Sequence, residues 1–218
     1  IMIIVDIVSE RRAMSTLGDE AMDRKEEIIN ACEKLYQTKS FKEINIKNIS
    51  EETSFSRPSI YNYFETKEEI FLELLKREYR LWNEDLTKIL DKEQLSKREL
   101  ASELAMSISN RKNLLKLLAM NLYDIEENSS IESLTDFKLL FGEALNNVKK
   151  CLNKFVSDFN EEEIEKFIYS LFPFMYGIYP YTAVTFKQKE AMTRANVDYK
   201  FMTIYEIAYH AILNMLKI

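Results

Sequence analysis

Three glycines and three prolines among 218 residues are far below ordinary usage, and long Leu, Ile, Lys and Glu-rich stretches fill the space between them. That shortage of turn residues argues for an all-helical protein. One histidine, His210, leaves a zinc or histidine-based catalytic centre without its usual ligands, so no metal is expected. The two cysteines, Cys32 and Cys151, stand far apart with no CxxC pair or Cys/His cluster. They read as small buried hydrophobes in a reducing compartment. A long apolar run is also missing. The opening IMIIVDIVSERRAM holds a short apolar run interrupted by Asp6, with no basic residue before it and no small-residue cleavage site. It reads as neither a signal peptide nor a membrane span, and residues 1–22 are set apart as an N-terminal extension, with Met14 or Met22 as alternative starts. Basic excess is absent as well: the net charge of −6 excludes a wholesale polyanion binder, so any nucleic-acid site must be local.

What is present is an ordinary globular mixture, 46% hydrophobic and 30% charged, long enough for one large domain or two small ones. A first helix is expected at DRKEEIINACEKLYQ, with Asp23 and Glu26 in a capping-box pattern and Ile28, Ile29, Cys32, Leu35 and Tyr36 on one apolar face. Asn45 is the expected N-cap of a short second helix that turns Ile46 and Ile49 inward. Ser56 caps a third, and Pro58 falls in its first turn, where the missing N–H costs nothing. Thr66 with Glu69 caps a fourth. Further helices are expected near 95–109, 111–126, 131–158, 161–179 and 197–217. The clearest is the run Ile131, Leu134, Phe137, Phe141, Leu145, Val148, Leu152 and Phe155, at three- and four-residue steps.

Short helices joined by a tight turn describe a helix-turn-helix, whose second helix can enter a DNA major groove. On a helix starting at Ser56, Ile60 and Phe64 lie four apart and face the core with Phe55, while Arg57, Ser59, Tyr61, Asn62 and Tyr63 project elsewhere. Arginine suits guanine edges and asparagine suits adenine. Tyrosine hydroxyls and Lys67 can reach phosphates. The plainer reading is that the tyrosines pack between helices and the polar groups face water. Residues 24–67 carry eight Lys/Arg against seven Glu, so this segment is near neutral and the acidity lies elsewhere.

INIKNISEETSFSRPSIYNYFETKEEIF resembles the DNA-binding segment of the tetracycline-repressor (TetR) family, in its isoleucine pair, turn, serine, IYNYF spacing and KEEIF start. The resemblance covers about residues 24–75. It implies a homodimeric transcription regulator of about nine helices per subunit, with a three-helix DNA-binding head over 23–68 and a ligand-binding and dimerisation body over 69–218. Carried onto matching positions, it implies that Asn45, Lys47, Tyr61, Tyr63 and Lys67 contact phosphates. Arg57, Pro58, Ser59 and Asn62 would then face base edges. Ser54 stands where the family often has glycine, and Ser50 where it often has alanine.

The body offers a candidate effector site of aromatic and methionine residues: Trp82, Met106, Met120, Tyr123, Phe137, Phe141, Tyr169, Phe172, Met175 and Tyr176. Plain core packing is the competing account. Pro173 should kink its helix beside this cluster, and Gly177 and Pro180 should end it. The last helix, with Phe201, Ile204, Tyr205, Ala208, Ile212 and Met215, is expected to join Ile164, Phe167, Ile168 and Leu171 in a four-helix dimer interface. His210 on that helix reads as a core or interface residue. The NEEEIEKF carboxylates are explained by capping and the helix dipole, so an enzyme is not expected. The combined expectation is a cytoplasmic, ligand-responsive repressor of a palindromic operator. It would need no cofactor and no membrane, and a helical adaptor that lost DNA binding is the alternative.

Overall fold

The computed structural model describes residues 21–120 and 122–218, and every regular element among them is helical. The expected extension over residues 1–22 lies, save for its last two residues, outside the described residues. These residues divide into two compact units. One comprises residues up to Leu74 with Asp124–Ser130, and the other Leu75–Tyr123 with Ile131–Ile218.

The first unit opens with α1, residues 21–38, which buries Ile28, Ile29, Cys32, Leu35 and Tyr36 on the face its spacing dictates. The helix is already formed at residue 21, so Asp23 sits inside it rather than at its N-cap. A 3-10 turn, Phe41–Glu43, leads to α2, Ile46–Glu51. Asn45 caps α2 as expected, its Oδ1 accepting from the Asn48 N–H at 3.0 Å. Then come α3, Arg57–Ile60, and the first two turns of α4, Lys67–Leu90. Thr66 accepts the Glu69 N–H at 3.2 Å, and the Glu69 carboxylate reaches back to the Glu65 N–H at 2.8 Å. The Phe71 ring takes Tyr36 and Phe41 edge-on at 5.2 and 4.8 Å, which closes the small core. Part of α7, Leu122–Glu127, returns to this unit, where the Thr66 hydroxyl donates to the Asn128 carbonyl at 2.9 Å.

The second unit takes the rest of α4 with α5, Lys97–Ser109; α6, Lys112–Leu118; α8, Ile131–Phe155; α9, Glu161–Thr182; α10, Phe186–Arg194; and α11, Ile204–Met215. Capping boxes start α5, α9, α10 and α11, at Ser96/Glu99, Asn160/Glu163, Thr185/Gln188 and Thr203/Glu206. α11 lies along α5 and against α9, and α9 also meets α6 and α8.

Four expectations need correction here. The single helix over 111–126 is two, α6 and α7, because α6 ends at Leu118. α9 runs through Pro173, Gly177 and Pro180 to Thr182. Each proline removes one backbone bond, while Phe172, Met175 and Ile178 stay buried and hold the segment to its neighbours. The last helix begins at Ile204 rather than near 197, and α10 precedes it. Finally, of the residues expected at a dimer interface, Ile164, Phe167, Leu171, Ile204, Ala208 and Ile212 are buried within this unit, whereas Phe201 is exposed and Ile168, Tyr205 and Met215 are half-buried. α11 carries more apolar surface than one contact needs because it packs on both α5 and α9. His210 on it is exposed.

Candidate nucleic-acid interface and ligand cavity

Ser56 has extended backbone, φ −72° and ψ 154°, and Pro58 lies in the first turn of α3. The α-helix proper is only one turn, and hydrogen bonds from the Tyr63 and Phe64 N–H groups to the Ile60 carbonyl, at 2.9 and 3.1 Å, carry it onward. Ile60 and Phe64 are buried. Arg57, Pro58, Tyr61 and Asn62 are exposed, and Ser59 and Tyr63 are half-buried. Tyr63 is therefore partly a packing residue, its ring tilted against Phe55 at 6.4 Å.

Asn45, Lys47, Arg57, Tyr61 and Lys67 border one groove of about 410 Å³ together with Ile46, Glu65 and Thr66. The Arg57 guanidinium donates to the Tyr61 hydroxyl at 3.3 Å and lies 5.9 Å from that ring, so the two side chains brace one another. The Lys47 ammonium is 3.8 Å from Glu51, an exposed pair of small energetic weight. Lys67 is committed further. It donates to the Phe41 and Ile44 carbonyls at 3.0 and 3.2 Å and sits 3.9 Å above the Phe41 ring. An ammonium has three donors, and here two of them pin the α1–α2 connection.

The turn at Ser54 uses no left-handed backbone: among the described residues the non-glycine positions with positive φ are Asn196 and Lys217. Instead the Ser54 N–H and hydroxyl donate to the Glu27 carboxylate at 2.6 and 3.2 Å, tying the turn to α1. Glu27 was legible only as a helix surface residue, since its partner lies 27 positions away.

In the second unit a cavity of about 800 Å³ lies between α8 and α9. Four of the expected ligand residues, Phe141, Tyr169, Phe172 and Tyr176, line it. Leu145, Ile168 and Pro173 extend the apolar wall, and Gly142, Asn146, Lys149 and Glu165 complete it. Trp82, Phe137 and Met175 are buried beside it as packing residues. The Trp82 indole N–H donates to Ser107 Oγ at 3.2 Å, and its ring meets Phe172 at 5.6 Å. Met120 and Tyr123 are not brought to the cavity. The break after α6 places Met120 between helices and leaves Tyr123 85% exposed on α7. Leu145, Lys149, Glu165 and Ile168 continue the stripes of Phe141 and Phe172 at helical steps, a signal present in the sequence.

Burial keeps both thiols protonated at neutral pH. Burial raises Cys32 far above its usual range and pushes Cys151 up to about 12. Among the described residues no group of three or more His, Cys, Asp and Glu side chains could hold a metal, and no helix is long and apolar enough to cross a membrane.

Two family models match the chain. One, described as bacterial regulatory proteins of the tetR family, matches residues 28–74, and one described as the tetracyclin repressor-like C-terminal domain matches residues 76–214. A curated relative, the HTH-type transcriptional regulator EthR of Mycolicibacterium smegmatis, is 35% identical over 65 residues, which span 30% of this chain and 29% of that protein. The match thus covers less than a third of either length. Among solved structures, the TetR-family regulator PfmR of Thermus thermophilus superposes with a TM-score of 0.60 at 16% identity, over 87% of this chain and 97% of that one. FadR of Bacillus subtilis, solved in complex with stearoyl-CoA, does so with a TM-score of 0.52 at 16% identity, over 87% and 96%. At these identities the likeness is one of fold.

Proposed function

The chain belongs to the TetR family of DNA-binding transcriptional regulators, and from that premise we propose that it is a ligand-responsive repressor acting as a cytoplasmic homodimer on a palindromic operator. The observation that carries the DNA half of this reading is the single groove that gathers Asn45, Lys47, Arg57, Tyr61 and Lys67 beside the exposed α3 side chains. Arg57, Ser59 and Asn62 read base edges, with Pro58 presenting them from the first turn. Lys47, Tyr61 and Tyr63 hold phosphates and Asn45 fixes the start of α2 beneath them. Lys67 contributes its charge and its one unspent donor.

The cavity between α8 and α9 is the proposed effector site. Its aromatic wall suits an apolar ligand, and Phe141, Tyr169, Phe172 and Tyr176 form its contact surface. FadR's stearoyl-CoA is a property of that protein; the ligand class here is argued from the cavity's own lining. A ligand favouring the body conformation that misplaces the two heads weakens DNA binding by its differential affinity for the two states. α4 contributes residues to both units and is the covalent route for such coupling.

The test is retardation of a palindromic fragment from the upstream region of its own coding sequence, across a range of salt concentrations. Binding should fall steeply with salt and weaken with Tyr61→Ala. Binding indifferent to both would overturn the DNA-regulator reading, and no retardation at any salt concentration would favour the adaptor.

A further inference from the structure

α1 carries two exposed cations beside α3 that lie outside the groove described above. Arg24 and Lys25 are adjacent in α1, and both are exposed. The Arg24 guanidinium lies over the Phe55 ring, 5.9 Å from its centroid, and the Lys25 ammonium lies 5.8 Å from the centroid of Phe64. The two rings are not equivalent. Phe64 is a buried anchor, whereas Phe55 is half-buried, directly precedes the Ser56 start of α3, and meets the Tyr63 ring at 6.4 Å. Arg24 therefore stands at the entry to α3, across Phe55 from Tyr63, a side chain read as holding phosphate.

The contact that holds the Ser54 turn also fixes this position. Glu27 is three residues beyond Arg24 on the same side of α1, and its carboxylate accepts the Ser54 N–H and hydroxyl at 2.6 and 3.2 Å. Successive turns of α1 thus meet successive residues of the α2–α3 connection. A guanidinium over a ring uses its face, while its N–H donors lie in its plane, in the fork geometry that matches a phosphate. As a purely structural contact, an exposed cation over a ring is weak. The groove itself has limited charge to offer: Lys47 is 3.8 Å from Glu51, and Lys67 gives two donors to the Phe41 and Ile44 carbonyls. A phosphate track served by Arg57 and these two lysines gains a further cation at Arg24.

We propose that Arg24, seated on Phe55, is a further phosphate-contacting residue that extends the DNA face from α2 and α3 onto α1 and sets register without reading sequence. This rests on the reading of α3 as the helix that enters the DNA groove, and the experiment below separates the two.

The full chain and its Arg24→Gln, Arg24→Lys and Lys25→Gln variants are titrated by fluorescence anisotropy with the palindromic upstream fragment and with an unrelated duplex of equal length, between about 50 and 200 mM salt. Arg24→Gln should weaken binding to both duplexes alike and make the salt slope shallower by about 1, so that its deficit against wild type is about 3- to 4-fold larger at the low end of that range than at the high end. Arg24→Lys keeps the charge and should keep the slope. Lys25→Gln removes the same charge one residue on and should leave the slope as in wild type. Melting should shift little in all three, because both side chains are exposed. The proposal is overturned if Arg24→Gln leaves the slope unchanged, or if its loss is confined to the palindrome, which would mark base reading or support of the turn. It is equally overturned if Lys25→Gln changes the slope as much, which would mark a general charge effect, or if Arg24→Gln melts well below wild type, which would mark a structural role. Steep, salt-dependent binding by wild type that Arg24→Gln matches sinks this inference and leaves the DNA reading intact. Wild type that binds neither duplex sinks both.

Discussion

The α3 groove and the α8–α9 cavity draw on the same side chains, tyrosine with a few polar and basic groups, and build opposite things from them. At α3 the tyrosines stand exposed or half-buried on one short turn, and their positions follow from neighbours a few residues away: the Ser56 start, Pro58, and the Ile60 and Phe64 anchors. Between α8 and α9, Tyr169 and Tyr176 are exposed as well, but they are matched to Phe141 and Leu145 from a helix more than 20 residues earlier, over a floor of Tyr79 and Trp82 from α4. An interface for a long polyanion needs exposure and correct projection, which local capping supplies. An apolar groove between helices needs side chains from distant segments brought together, which only tertiary packing supplies.

The comparison breaks most sharply at Trp82. Trp82→Ala removes the ring under Phe172 and the indole donor to the Ser107 hydroxyl, and should cost about 3–5 kcal/mol in urea denaturation. If the two regions are built as independently as argued, the small core around Phe71 should keep its hydrogen-exchange protection in mild urea while the α8–α9 region loses it. Simultaneous loss would show one cooperative structure.

Arg57→Ala acts on the other region and on function rather than stability. It should weaken operator binding by about 1–3 kcal/mol, roughly 5- to 150-fold, and relax preference at one base pair. Lys47→Ala should weaken all sequences alike and reduce the salt slope by about 1. Fluorescence anisotropy at several salt concentrations distinguishes them. Melting should shift little in either, because both side chains are exposed.

The smallest expected effect sharpens the role of local capping. Bonds from Ser96 and Thr203 lower the pKa of Glu99 and Glu206, and the bonds from Lys217 and the Asn160 N–H lower that of Glu163. A folded pKa below the unfolded value means that the stabilisation is present above the ordinary glutamate range and is lost as pH falls through the depressed values. Melting temperature should therefore hold from neutral pH down to that range and then decline. Glu163→Gln should lower the neutral-pH value slightly and soften the acid decline. An unchanged acid profile would show that this cap contributes nothing measurable.

The Asn45 cap, the α1 face and the α8 stripe were legible because caps and 3.6-residue periodicity act within one or two turns. The starts of α10 and α11 were missed, although TFKQ and TIYE have the same spacing as the capping box at Asn160. Two inferences are revised for a common reason. Proline and glycine in α9 predict an end when judged by local cost, but buried Phe172, Met175 and Ile178 outweigh it. The apolar residues of α9 and α11 all read as one dimer face when counted along single helices, but packing of α11 on α5 and α9 buries Ile164, Phe167, Leu171, Ile204, Ala208 and Ile212 and leaves Phe201 exposed.

By itself, then, the sequence determined the helical class, the capped α2, the start of α3 at Ser56 and Pro58, and the set of side chains that α3 presents. These depend on backbone hydrogen bonds and steric preferences that close over three or four residues. Only the tertiary structure decided that Glu27 holds the Ser54 turn, that Lys67 is spent on carbonyls, that Tyr123 faces solvent, and that Tyr79 is buried among the rings of Trp82, Phe137 and Phe141. Each of these depends on which distant segment arrives opposite the side chain, and burial and pairing are properties of that meeting rather than of the residue.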